Sequence, residues 1–291
     1  MSANDDEIAR RKKLTFAQAE GAEPLPSQLK RTEVSQELRA VLWGYVFSEL
    51  NRTSRREMYT YVGDPWKGVL KSAHVYFYHK PADEFDPSFN VAADDAKAAV
   101  FNSGWVQFYG WIQYLLRVKP TSDFADRINK IMIYARSPYR VIDKEVLCPI
   151  GSDEEAQAIT RAFDDLKKEK GLIGGREHLK AAAQELSAGN FADSVRESMH
   201  AVESVVRVLE PSGEFAKALA KLEGSTNIHG ALKKGFVSIY GFSSDEQGIR
   251  HPLLDKAAPD VDEADAIFMI GACAAFVSYL INKARAVGLL K

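Results

Sequence analysis

The sequence predicts a mainly α fold: an N-terminal helical domain with one small β-hairpin, then a C-terminal antiparallel helical bundle. Three observations point there. Apolar residues recur at three- and four-residue spacing through most of the 291-residue chain. A cluster of β-branched residues around a turn occurs at one place only, from Tyr139 to Ile150. The composition, 46% hydrophobic and 27% charged, is that of an ordinary globular protein and excludes a collagen-like or wholly disordered one. Lys plus Arg number 38 and Asp plus Glu 40, a net charge of −2. That balance argues against a protein whose main business is coating nucleic acid or anionic membrane.

The elements follow in order. Met1 to Lys13 is charged and lacks the apolar core of a signal peptide, so a cytoplasmic location is expected. Leu14 to Pro26 reads as a loop. Ser35 opens a helix whose stripe is Leu38, Leu42, Tyr45, Val46 and Leu50. Val69, Ala73, Tyr76 and Phe77 continue with helical spacing, and Lys80 to Asn90 is a loop. Ala96 to Val118 reads as one long aromatic helix, and a short helix starts near Asp123. The hairpin turns at Asp143-Lys144. Ser152 to Glu155 is a capping box, in which the hydroxyl and the carboxylate can each satisfy an orphan amide. It opens a charged helix to about Lys170, where Gly171, Gly174 and Gly175 break the chain.

The expected division is therefore 1–150, a connecting helix and Gly-rich linker at 151–173, and a bundle over 174–291. Its helices are read as Glu177 to Leu186, Asn190 to Leu209, a short one with Phe215, Leu219 and Leu222, one from about Ile228 to Ile239, and a last one from about Asp262 to Val287. The apolar run Ala266–Ile281 is 16 residues, short of the roughly 18 to 20 of a membrane span, and it is expected at the bundle core or a dimer interface. No membrane association is expected.

General catalytic motifs are absent. The glycines at 171–175 follow a charged helix rather than a strand, so they are no phosphate loop. No G-x-S-x-G occurs, and the six histidines show no H-E-x-x-H spacing. Two cysteines, Cys148 and Cys273, make neither a zinc site nor a disulfide scaffold, and Cys273 sits in an apolar run as a core thiol. No metal or other cofactor is expected. The aromatic set Trp105, Phe108, Tyr109, Trp111 and Tyr114 lies at helical spacing and reads as core rather than as a base-stacking platform.

One stretch is more specific. Tyr240-Gly-Phe-Ser-Ser-Asp-Glu, Gly248-Ile-Arg-His251, Ser194-Val-Arg-Glu-Ser-Met-His-Ala-Val-Glu203, Arg176-Glu-His-Leu, Asn227-Ile-His-Gly-Ala-Leu-Lys-Lys and Asp265-Ala-Ile-Phe-Met together resemble the HEPN domain. The match is sharpest to HEPN domains of the abortive-infection type, carried behind an AbiJ-type N-terminal domain. Pro24-Leu-Pro26, Glu37-Leu-Arg-Ala-Val-Leu-Trp43 and the hairpin resemble that N-terminal domain. The resemblance implies a helical bundle that dimerises and acts on RNA without metal. In the family motif an Arg is followed, after four to six intervening residues, by a His. The His serves as general acid or base and the Arg offsets phosphorane charge.

This chain departs from that spacing. The positions that would hold the Arg before His251 are Ser244, Asp245 and Glu246. Gly248 and His251 fill their places, Asp245 takes the place of an Asn, and the cation stands instead at Arg250. Two readings stay open. In one, Arg250 and His251 are catalytic, with Glu203 from the facing helix, and Ser244, Asp245 and Gly248 position them. In the other, the domain is a non-catalytic module for dimerisation and for binding nucleotide, RNA or protein. There Ser244-x-x-Gln247 is a capping box and Glu203 an i,i+4 partner of Arg207. Lys233, Lys234 and His229 form a candidate basic edge toward RNA. Residues 1–150 carry a net +2 and residues 151–291 a net −4. Sequence-independent RNA binding by the bundle alone is therefore not expected.

Overall fold

The computed structural model describes residues 15–23, 27–56, 59–211, 213–245 and 260–290. Within them the chain is mainly helical, as the apolar periodicity predicts. The first half comprises α1 (Phe16–Ala19), α2 (Gln36–Thr53), α3 (Trp66–Tyr76), α4 (Phe89–Phe101), α5 (Trp105–Val118) and α6 (Phe124–Tyr134). A short ladder, β1 (Arg55–Arg56) with β2 (Thr60–Tyr61), adds a pairing too brief for any periodicity to reveal. The hairpin β3 (Tyr139–Ile142) and β4 (Val146–Pro149) follows. The second half comprises α7 (Asp153–Lys168), α8 (Ile173–Ala188), α9 (Phe191–Leu209), α10 (Phe215–Thr226), α11 (Gly230–Asp245) and α12 (Glu263–Ala286).

Local chemistry explains the boundaries. The Ser35 hydroxyl accepts the Leu38 N–H at 3.0 Å and opens α2. Asp262 and Asp265 form a reciprocal capping box that opens α12. At the start of α7 the Ser152 hydroxyl accepts the Glu155 N–H at 3.2 Å, and the Glu155 carboxylate takes the Gly151 N–H at 2.8 Å. Burial pushes the Glu155 carboxyl above its ordinary range. Gly271 of α12 makes room for it, since a Cβ there would stand 2.7 Å from the carboxylate.

The expected long helix from Ala96 to Val118 is two helices. The chain breaks at Asn102-Ser103-Gly104, where Arg39 donates to the carbonyls of Val100 and Ser103. A buried guanidinium satisfies carbonyls that a continuous helix would have used itself. Of the three glycines expected to break the chain, only Gly171 does so, between α7 and α8. Gly171 turns with φ +105°, but Gly174 and Gly175 lie inside α8. A Cβ at Gly175 would meet Val205 Cγ2 at 3.0 Å and Leu166 Cδ2 at 3.1 Å. These glycines permit close helix contact.

Two apolar cores result. One gathers α2 to α6 around Trp66, Phe108, Trp111 and Phe124. Phe108, Tyr109 and Trp111 are buried there as expected, while Trp105 is 40% exposed and the Tyr114 hydroxyl bonds Ser72 at 2.5 Å. The other core gathers α7 to α12, with α9 packed against α8, α10, α11 and α12. Segment 151–173, expected as a connector, contributes Ile159, Ala162, Phe163, Leu166 and Leu172 to that second core. Arg285 at the end of α12 clasps α7 through Asp165 at 2.9 Å and Glu169 at 2.7 Å. By length and composition α12 could cross a membrane, but 61% of its most apolar window is buried in the bundle. It is the expected core helix.

The hairpin stands between the cores, buried on both faces. Tyr139, Val141 and Leu147 pack into the first core, and Ile142, Val146 and Cys148 into the second. Its turn has φ +47° at Asp143 and +64° at Lys144, and the Glu145 N–H closes onto Ile142 O at 3.1 Å. The register pairs Ile142 with Val146, so Glu145 is an extra residue and the loop is longer than two.

Candidate functional site

Among the described residues, most of those that carry the HEPN resemblance sit on α8, α9, α11 and the start of α12. Glu203 is one turn beyond Met199 on α9, at the border of the buried stripe. It lines a narrow crevice with Val206, Arg207, Gly213, Phe215 and Ala218. Phe215 opens α10, and its ring stacks on Tyr240 of α11 at 4.6 Å and 17°. Tyr240 in turn receives the Ser243 hydroxyl on its carbonyl at 2.9 Å. The crevice that Glu203 lines thus lies beside the Phe215–Tyr240 stack, and Tyr240 belongs to the helix that begins the Tyr240–His251 motif.

Arg250, His251 and Gly248 lie outside the described residues. The backbone of Ser244 and Asp245 forms the last turn of α11. That corrects the capping-box alternative, because a residue inside a helix cannot be the N-cap of a new one.

The basic edge is smaller than the sequence suggests. Lys233 is held in an ion pair with Glu223 across from α10. His229 Nδ1 accepts the Ala231 N–H at 3.2 Å, and its carbonyl accepts the Lys233 N–H at 3.1 Å. It is the N-cap of α11, filled by an imidazole instead of a hydroxyl. Lys234 is exposed on the same helix.

Neither cysteine can serve as a nucleophile. Both are free and buried, and burial pushes each thiol up to about 12. Cys273 Sγ rests 3.5 Å from Met199 Sδ in the second core. Elsewhere, a cleft of about 480 Å³ opens in the first half beside Tyr78, Lys80, Asp95 and Gln107. The Tyr78 hydroxyl lies there buried without a partner, and burial raises its pKa.

The structure also joins residues that sequence spacing left apart. His178 Nδ1 on α8 is 2.7 Å from Glu197 Oε2 on α9, and His200 Nδ1 is 3.7 Å from Glu197 Oε1. The two imidazoles meet edge to face, 5.2 Å apart. The only signal in the sequence was Glu197-x-x-His200, two residues on one helix face. His178 comes from another helix, so no motif scan along the chain could complete the set.

Comparison of the chain with protein-family models, with curated proteins and with solved structures finds no match.

Proposed function

We propose that this chain is an abortive-infection-type HEPN protein that acts on RNA in phage defence, as a metal-independent endoribonuclease with a composite site across a homodimer. The reading rests on the residues matched above. The observation that supports it best is that the helix carrying Ser194–Glu203 packs on the helix that leads toward Gly248-Ile-Arg-His251, with Glu203 and Phe215 lining one crevice and Phe215 stacked on Tyr240. In this mechanism His251 takes the proton of a 2′-hydroxyl. The 2′-oxygen attacks phosphorus, and the bond to the 5′-oxygen breaks as that oxygen is protonated by His251 of the partner subunit. Arg250 offsets the charge gathering on the phosphoryl oxygens. Glu203 orients the pair.

A second reading is favoured by particular observations. The Arg at family spacing is replaced by Ser244, Lys233 is neutralised by Glu223, and the second half carries a net −4. These features suit a dimerising module that binds nucleotide, RNA or protein without cleaving. One assay separates the readings. With RNA and excess chelator, the parent chain is expected to yield 2′,3′-cyclic phosphate ends, and His251→Ala to lose at least about 100-fold in rate, at the scale of a general acid–base contribution. Equal cleavage by His251→Ala, or none by the parent, removes the nuclease reading and leaves the module. Sedimentation of the same samples reports whether the chain dimerises.

A further inference from the structure

We propose that His178, Glu197 and His200 form a binding site for a divalent transition-metal ion of the zinc class, set in the groove between α8 and α9. The donor set is two imidazoles and one carboxylate. That combination suits zinc and its neighbours, and is too nitrogen-rich for calcium or magnesium, which prefer oxygen. The geometry is close to what such an ion needs. One donor atom from each of the three residues falls within 4.8 Å of the other two. Metal bonds of about 2.0–2.2 Å in a tetrahedron separate ligand atoms by roughly 3.4 Å. The two imidazoles stand 2.7 and 3.7 Å from the two oxygens of the one Glu197 carboxylate, on either side of that value. Binding would draw one donor of each residue, now within 4.8 Å of the others, in to that separation.

Two further features hold the donors in place. Gly174 and Gly175, one turn before His178, let α8 approach α9 until a Cβ at Gly174 would stand 2.8 Å from Ser204 Oγ. The site therefore spans a rigid helix pair. Glu197 is the most enclosed donor, its side chain 19% exposed, whereas His178 is 40% and His200 30% exposed. The carboxylate forms the floor and the imidazoles the rim, so a fourth position faces solvent and takes a water. The nearest competing cation is Arg196, whose Nε is 3.8 Å from Glu197 Oε1. Its guanidinium is drawn instead to Asp193 at 2.5 Å. Binding exchanges the His178–Glu197 hydrogen bond for metal bonds and joins α8 to α9. The ion takes no part in the proposed RNA chemistry, although His200 lies one helical turn before Glu203 on α9.

The test is zinc chloride alone, titrated into the full chain after chelator treatment and followed by calorimetry and elemental analysis. One zinc per chain is expected, with affinity lowered at least about tenfold in both His178→Ala and His200→Ala while helical circular dichroism is unchanged. No retained zinc in the parent chain, or undiminished stoichiometric zinc in both variants, overturns the site. Cobalt(II) spectra of the parent chain decide the matter should a variant misfold. Intense visible bands of a four-coordinate ion sustain the proposal, and only the weak bands of a six-coordinate ion refute it.

Discussion

Individual glycines show how one residue type serves opposite ends in this chain. Gly175 faces Val205 and Leu166 at distances where a methyl group does not fit, and Ala201 O is only 3.4 Å from a Cβ placed there. Gly175→Ala is expected to destabilise the protein by about 1–3 kcal/mol through overpacking. Gly44, in the middle of α2, has nothing within 4 Å of the same position. Gly44→Ala is expected to stabilise by about 0.5–1 kcal/mol, because alanine loses less backbone freedom in a helix. Denaturant unfolding of the pair checks both signs, and equal effects would contradict the packing argument. The sequence could not tell these glycines apart. Read along the chain, Gly171, Gly174 and Gly175 are three breakers in a row, and only the neighbour across the helix interface makes two of them helical. His229 is a parallel case: grouped with Lys233 and Lys234 it suggests RNA, yet its ring nitrogen accepts a hydrogen bond from the first turn of α11.

At the scale of elements, the hairpin turn carries an electrostatic clasp. Asp143 receives both its hydrogen bonds from the Arg176 guanidinium, at 2.8 and 2.7 Å. Glu145 is gripped by Lys119 at 2.6 Å and by Lys180. The hydrogen bonds from Lys119 and Lys180 lower its carboxyl from 4.5 to about 2. A folded pKa below the unfolded one adds stability at neutral pH, and that stability drains away as pH falls from about 4.5 toward 2. Solvent screens a turn this exposed, so the effect is modest. Glu145→Gln is therefore expected to leave the acid limb of stability shallower than in the parent chain, as thermal melts between pH 6 and pH 3 would record. An unchanged slope means the clasp contributes nothing. Strong periodicity made the existence of most helices legible, including α2, α9 and α12; Ser35 caps α2 as its position suggests, whereas Asn190 precedes α9 without a side-chain capping bond and turns to Glu185 instead. What the pattern missed was set by distant partners: the break between α4 and α5 depends on Arg39 from α2, and β1–β2 on two residues each.

Over the whole molecule, the division of the chain follows packing and not composition. A boundary near Gly175 would strand α7, yet α7 fills the second core and is clasped to α12 by Arg285. Limited proteolysis is expected to yield no stable fragment beginning near Gly175. Any resistant C-terminal product should begin ahead of Ser152, and a folded fragment lacking α7 would refute this. Of the candidate site, the sequence exposed the helices that carry Glu203, Tyr240 and Lys233 but not their partners. The ion pair to Glu223 and the stack on Phe215 join residues ten and twenty-five positions apart. The His178–Glu197–His200 set was invisible for the same reason.

The two-faced hairpin has a consequence of its own. Since alternate side chains of β3 and β4 serve different cores, three to each, neither half possesses a complete interior without the same two strands. Loss of the hairpin exposes apolar surface in both cores, so the unfolding of the two halves is expected to be coupled through it. A disturbance that loosens the hairpin is felt simultaneously by the helices on both sides, so this strand pair is the channel through which an event in the first half can reach the bundle.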